Sequence, residues 1–138
     1  MQLNLQKLRA LERRHAQLEA SMNLAAAEAA EQRLNVDLLR QRFESYFSGG
    51  VPCPKEIHEA WHELRFDPET AIRAAKKHGV PGLVIAAEEL LKAQATLAEL
   101  QAEARHARAR FDASATPLAR LHEFARKHDD KIHTGGAV

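Results

Sequence analysis

The feature that most constrains this chain is a heptad pattern that runs unbroken through its first third. Residues 2–48 contain no glycine and no proline, the two residues that most readily interrupt a helix. From Leu8 onward, side chains recur at alternating spacings of three and four residues, as in a helix that buries one continuous stripe. The stripe consists of Leu8, Leu11, His15, Leu18, Met22, Ala25, Ala29, Gln32, Val36, Leu39, Phe43 and Tyr46. The pattern predicts one long coiled-coil helix.

His15 and Gln32 are the two polar residues in this otherwise apolar stripe, and they allow two interpretations. A polar residue at a seam position can fix the register or the oligomeric state of packed helices. Alternatively, the seam is uncovered at these two positions because the partner helix is shorter. The pattern alone leaves both interpretations open.

The first helix has a clear end in residues 48–54, SGGVPCP. Gly49 and Gly50 favour a C-terminal cap, and the prolines that follow prevent the helix from continuing. We predict a short helix over about residues 55–66, with Ile57, Trp61 and Leu64 on its buried face.

A second short helix is expected to follow at once. Asp67 and Pro68 read as an N-cap and a first helical residue, and Gly79 marks the end. The two short helices therefore form a helical hairpin.

Pro81 opens a second long helix, which we predict to reach about residue 112. Its apolar three-four series is Leu83, Ala86, Leu90, Ala93, Leu97, Leu100, Ala104, Ala107 and Phe111. Ser114 or Thr116, followed by Pro117, predicts the start of a separate return helix. The inward residues of that return helix would be Leu118, Leu121, Phe124 and Ala125.

The predicted fold class is all-α, because no strand-like alternation of useful length occurs. Two long heptad-patterned helices, at about 2–48 and 81–112, are joined by the short helical hairpin and followed by the return helix. We expect a coiled-coil helix or arm over 1–48, a small helical domain over 49–130 and a flexible tail over 131–138. Residues 81–112 would run antiparallel to part of the first helix, leaving its excess length as an arm or a dimer seam. The alternative is a monomeric bundle with a bent first helix.

Charge and composition exclude few classes of protein. Twenty Lys and Arg against 19 Asp and Glu give a net charge of +1, which argues against a strongly basic nucleic-acid binder. The one cysteine, Cys53, cannot form an internal disulfide, and we interpret it as a structural thiol. No apolar run is long enough for a signal peptide or a membrane span. The expected location is cytoplasmic.

One short motif has catalytic potential. His58, Glu59 and His62 fit the pattern H-E-x-x-H, which on a helix places two imidazoles on one zinc ion and a glutamate beside the metal-bound water. These five residues resemble the zincin metallopeptidase signature. The resemblance implies a zinc-dependent hydrolase with His58 and His62 as ligands and Glu59 as general base.

The rest of the zincin pattern is missing. Glu63 stands where zincins prefer an uncharged residue, and Arg65 holds the glycine position of the metzincin pattern. The candidates for a third ligand are Glu88, Glu89 and His122, and no spacing selects among them. We therefore favour a packing helix, with His58 and His62 beside the buried stripe.

Two further features point towards nucleic acid. Residues 71–85 resemble a helix-turn-helix, with Ala75 as the small residue, Gly79 in the turn and Ile85 as the buried aliphatic. Its reading helix would offer no hydrogen-bonding side chain over residues 81–86, so we favour a simple helical hairpin. Separately, the last third is moderately basic, which is the basis for an alternative function in contacting backbone phosphates. The residues for that contact would be Arg105, Arg108, Arg120 and Lys127.

We therefore predict a non-enzymatic protein–protein interaction module without a cofactor. It would act as an accessory, inhibitory or assembly factor, of the kind that phages and mobile elements encode, and pair with itself or another protein. The predicted interaction surface is the heptad seam of Leu8, Leu11, Leu18, Met22, Val36, Leu39, Leu90, Leu97 and Leu100. The alternatives are a small nucleic-acid-binding subunit and a zinc hydrolase.

Overall fold

The fold class is all-α, as predicted. The computed structural model describes the backbone of residues 5–136 and the side chains of residues 5–127. Within that range the backbone forms no strand. The helices are α1 (Leu5–Ser45), α2 (Lys55–Glu59), α3 (Trp61–Leu64), α4 (Pro68–His78) and α5 (Pro81–Gly136). The long helices α1 and α5 pack together, and the short helices lie between them in the chain.

Each long helix contributes to two compact units. The first unit comprises Met1–Ala26 and Ala102–Val138, and the second comprises Ala27–Gln101. Side chains after residue 127 and the structure of residues 1–4, 137 and 138 lie outside the description. Part of the predicted tail, residues 131–138, falls among them, and its backbone is helical as far as Gly136.

The predicted return helix is wrong, because α5 continues through Pro117 without a break. The reason lies in the seam: after Phe111, the three-four series goes on in the same phase at Ser114, Leu118, Leu121 and Ala125. All four of these side chains are buried or half-buried, whereas Pro117 is exposed. The packing of a continuous stripe therefore outweighs the helix-breaking preference of one exposed proline.

The first part of α1, predicted as an arm or a dimer seam, belongs to one unit with the C-terminal half of α5. In the first unit, Leu8, Leu18 and Met22 of α1 are half-buried rather than exposed. They lie in the same unit as the C-terminal half of α5, which contributes Ala107 and Leu118 as buried residues. One stripe of this part of α1 is thus half-buried within the chain, while Leu5 and Leu24 are exposed.

The core belongs to the second unit. Its largest fully buried side chains are Phe43, Ile57, Leu83 and Leu90. The rings of Phe43 and Phe47 meet edge to face, with 5.1 Å between their centroids. The remaining core positions are mainly small, which lets the helix backbones approach closely. They include Ala71, Ala75, Ala87 and Ala93.

The first short helix differs from its prediction because it is interrupted at Ala60. That residue has φ −95° and ψ 9°, which separates α2 from α3. Ile57 and Leu64 are both buried, as expected, while Trp61 is half-buried. A helix of this length has little stability of its own, so the packing of Ile57 and Leu64 decides the local backbone.

The ends of α4 follow the sequence signals closely. Asp67 is the N-cap: its carboxylate accepts the Thr70 amide at 3.3 Å and the Thr70 hydroxyl at 2.6 Å. Both hydrogen bonds lower the pKa of Asp67, and the bond from the Thr70 hydroxyl has the larger effect. At the other end Gly79 is left-handed, with φ 70°, and the Val80 amide donates to the Ala75 carbonyl at 2.8 Å.

Gly79→Ala is expected to lower the free energy of unfolding by about 1–2 kcal/mol, because a Cβ is strained at this left-handed φ. Chemical denaturation followed by helical circular dichroism measures the loss. Gly50→Ala is the matched control, since Gly50 has no positive φ and its Cβ would make ordinary contacts with Ser45. Equal losses at the two glycines would show that backbone conformation at Gly79 is not the cause.

Among the described residues, no helix combines the length and the apolar character needed to cross a bilayer.

Candidate functional site

The residues of the predicted interaction surface are mostly covered within the chain. On α1, Val36 is buried and Leu8, Leu18, Met22 and Leu39 are half-buried. Leu11 is the exception, because 38% of its surface is exposed. On α5, Leu90 is buried and both Leu97 and Leu100 are half-buried. The side chains predicted as an interaction surface therefore lie mostly against other parts of this chain.

His15 is satisfied by α5 within the first unit. Its Nδ1 lies 2.7 Å from the Ser114 hydroxyl, and its ring stacks on Phe111 with 4.6 Å between centroids. The Ser114 hydroxyl oxygen also lies 2.7 Å from the Phe111 carbonyl oxygen. The Ser114 hydroxyl therefore lies within hydrogen-bond distance of both the His15 ring and the Phe111 carbonyl.

Gln32 has an equivalent role in the second unit. Its side-chain amide donates to the backbone carbonyl of Ala93 at 3.0 Å. Both polar seam residues are thus half-buried and bonded to α5. Because a slip of either helix would leave these polar groups unpaired, the contacts favour a role in fixing register over an uncovered seam.

The H-E-x-x-H residues do not share one helix. His58 and Glu59 lie on α2, whereas His62 lies on α3, beyond the interruption at Ala60. The His62 ring packs on Trp61, with 3.8 Å between centroids. Glu59 pairs with Lys55 at 3.5 Å.

The proposed third ligands have other neighbours. Glu89 pairs with Arg42 at 3.3 Å, and His122 contacts Glu12 at 2.8 Å. Glu88 is exposed. Across the part of the chain that the structure describes, no three His, Cys, Asp or Glu side chains come together in a group that could hold a metal ion. The zinc hypothesis therefore lacks a third ligand in this region.

The four basic residues proposed for phosphate binding are all exposed on α5. Arg108 pairs with Asp112 at 3.8 Å, and Lys127 pairs with Glu123 at 3.4 Å. Arg105 and Arg120 are the other two of these four exposed basic residues. Because acidic residues are interleaved one turn away, this face carries less positive charge than its basic residues alone suggest.

An arginine–aromatic cluster escaped the sequence analysis. The Arg65 guanidinium carbon lies 4.3 Å from the centre of the Phe66 ring and 5.1 Å from that of Trp61. The Arg65 Nε is buried without a hydrogen-bond partner. Arg65 lines a cavity of about 110 Å³ together with Glu44, Phe47, Ser48 and Trp61. The contiguous residues W-H-E-L-R-F were the available signal, but Arg65 entered the prediction only through its place in the metzincin pattern.

Two exposed apolar surfaces also lay outside the predicted site. The first is the outer leucine pair, Leu34 and Leu38 of α1, which are 66% and 65% exposed. Each lies two residues, or about 200°, from the buried Val36, so both face away from the core. They are one turn apart, and Ala27 and Ala30 on the same side are exposed as well.

The second is the corner groove, an open groove of about 320 Å³ where α4 turns into α5. Its lining is mainly apolar, and Ile85 is 55% exposed. The helix-turn-helix comparison placed Ile85 in the core, and that expectation is wrong. Leu83, Ala86 and Ala87 face the core instead, which turns Ile85 outward. The lining residues are Ala75, Lys76, Gly79, Val80, Pro81, Val84 and Ile85.

The fold and these surfaces define an all-α protein with exposed apolar faces. Two polar residues of its heptad stripe, His15 and Gln32, are hydrogen-bonded to α5. No protein-family model, curated protein or solved structure matches the chain.

Proposed function

We propose that this protein is a non-enzymatic helical interaction and assembly module that associates with a second copy of itself through the outer leucine pair. The observation that carries the proposal is the exposure of Leu34 and Leu38 at helical spacing on a face that the core does not use. Exposed apolar side chains grouped on one face are typical of association surfaces. The heptad seam is occupied within the chain, so a partner needs another surface.

The residues around the pair favour a second copy as the partner. In an antiparallel pairing with two-fold symmetry, Leu34 of one copy lies opposite Leu38 of the other, and the reverse. Glu31 precedes Leu34 by three residues, and Arg42 follows Leu38 by four. The same pairing therefore brings Glu31 near Arg42 of the second copy, whose guanidinium also pairs with Glu89 of its own copy at 3.3 Å. Arg42 would then contact one carboxylate from each copy.

We expect reversible dimers, because two leucines per copy bury a small area against the cost of association. Sedimentation velocity over a range of protein concentrations should show a dimer fraction that rises with concentration. Leu34→Glu/Leu38→Glu should remain monomeric throughout that range. Ile85→Glu is the matched control, since it places a charge at an exposed apolar residue on another surface, and it should dimerise like the wild type.

A charge exchange separates self-association from binding to an unrelated protein. Glu31→Arg should weaken the dimer, because it places two arginines together across the interface. Adding Arg42→Glu should restore part of the loss, since that change also removes the pair with Glu89 of the same copy. A wild-type protein that stays monomeric at every concentration would contradict the proposal. So would a dimer that persists in the double glutamate variant.

A further inference from the structure

We infer that the corner groove is a docking site for an acidic amphipathic helix of a partner protein. This inference is independent of self-association, because the groove and the outer leucine pair share no residue. Three observations bear on it: the shape and lining of the groove, the charges beside it and the N-terminus of α5, whose first residue lines the groove.

The groove suits apolar side chains. Its volume of about 320 Å³ falls at the lower end of ligand sites, which run from about 300 to 1,000 Å³. Val80, Val84 and Ile85 supply branched aliphatic walls, and Lys76 supplies the one charged side chain of the lining. An amphipathic helix that inserts one or two leucines recognises surfaces of this kind.

The charges beside the groove are positive on α4, whereas on α5 Glu88 and Glu89 are exposed one turn beyond Val84 and Ile85, with Glu89 paired to Arg42. Lys76 and Lys77 are exposed, and neither has an ion-pair partner among the described side chains. No acidic residue lines the groove. The first turn of α5, which begins at Pro81 in the groove, also lacks acidic residues, so the chain itself leaves the positive end of that helix without a negative side chain.

These features favour a protein helix over nucleic acid. Phosphate binding needs cations but gains little from exposed aliphatic walls. Base reading needs hydrogen-bonding side chains, and the groove offers only Lys76. A helix with leucines on one face and carboxylates beside them satisfies both the apolar walls and the unpaired lysines.

The test uses the full-length protein and three labelled probes in fluorescence anisotropy. The first probe is a synthetic helical peptide of about 18 residues with leucines on one face and glutamates elsewhere. The second carries lysines in place of the glutamates, and the third is a mixed-sequence DNA duplex. The acidic peptide should bind, with an affinity that falls as salt rises, and the lysine peptide should bind at least roughly tenfold more weakly.

Variants locate the binding surface. Ile85→Glu should weaken the acidic peptide by roughly tenfold or more, and the milder Ile85→Ala by several-fold. Lys76→Gln/Lys77→Gln should weaken it and flatten its salt dependence, without placing acidic charge at the C-terminus of α4. Two control variants should bind the peptide like the wild type. One is Lys92→Gln, which changes an exposed lysine elsewhere on α5, and the other is Leu34→Glu/Leu38→Glu. Circular dichroism checks that each variant is folded.

The inference is overturned if the acidic peptide fails to bind, or if it binds the folded Ile85 variants as well as the wild type. DNA that binds more tightly than the peptide and depends on Lys76 and Lys77 would assign the groove to nucleic acid and also overturn it. Loss of dimers in the leucine variant with peptide binding intact would keep the two proposals distinct.

Discussion

Phe43→Ala is expected to lower the free energy of unfolding by about 3–5 kcal/mol, the usual cost of truncating a buried phenylalanine. Phe43 is fully buried, and its ring meets Phe47 edge to face. Alanine would remove these contacts and leave a cavity beneath α1, which the surrounding helices can fill only in part. Stabilities of this size approach the whole margin of a small domain, which is about 5–15 kcal/mol.

Denaturant titration followed by helical circular dichroism measures this loss. Phe66→Ala is the matched control, because Phe66 is 69% exposed and packs against Arg65. Its cost should be no more than about 0.5 kcal/mol. A similar cost at both phenylalanines would mean that Phe43 is not in the core of the second unit.

Pro117→Ala is expected to stabilise the protein by up to about 3 kcal/mol, the penalty of proline inside a helix. Proline has no amide hydrogen to donate to the Ala113 carbonyl, and its ring crowds that carbonyl. Both residues are exposed on α5, so alanine can complete the helical hydrogen bond without disturbing the seam. Thermal unfolding should show a higher melting temperature for the variant.

Pro81→Ala provides the comparison, because Pro81 occupies the first position of α5, where a missing amide hydrogen costs little. Its melting temperature should stay close to that of the wild type. If Pro117→Ala gave no more stabilisation than Pro81→Ala, a helix that runs unbroken through Pro117 would be incorrect. The predicted return helix, with its start near Pro117, would then be the better description.

Local signals predicted the ends of α4 and the start of α5 well. The cap at Asp67, the left-handed Gly79 and the start of α5 at Pro81 all lie where the residue types indicated. These features depend on one or two residues and on backbone hydrogen bonds close by, so they can be read without knowledge of the fold.

At Pro117 the local signals for a helix start gave the wrong prediction. The residue types around it are those of a helix start, and the prediction followed them. Yet the heptad phase continues across the proline to Leu118 and Leu121, both of which are covered in the structure. Helix continuity there depends on packing along the whole stripe, which outweighs a local preference of a few kcal/mol.

The candidate sites were harder to predict than the fold. The histidine pattern drew attention to His58 and His62, but a motif assumes a continuous helix, and Ala60 interrupts this one. The corner groove was missed because the helix-turn-helix resemblance placed Ile85 in the core, although the three-four series through Leu83 and Ala86 leaves Ile85 off the covered stripe. The groove itself depends on how α4 lies beside α5, since residues of both helices line it.

The residue order alone determines an all-α chain, the covered stripe on each long helix and the ends of α4, because periodicity and capping are local properties. The partners of His15 and Gln32 required the folded structure, since Ser114 and Ala93 lie far away in sequence. So did the outer leucine pair and the corner groove. Whether an apolar side chain is covered depends on the three-dimensional arrangement of distant segments, and helical spacing records only which side chains share a face.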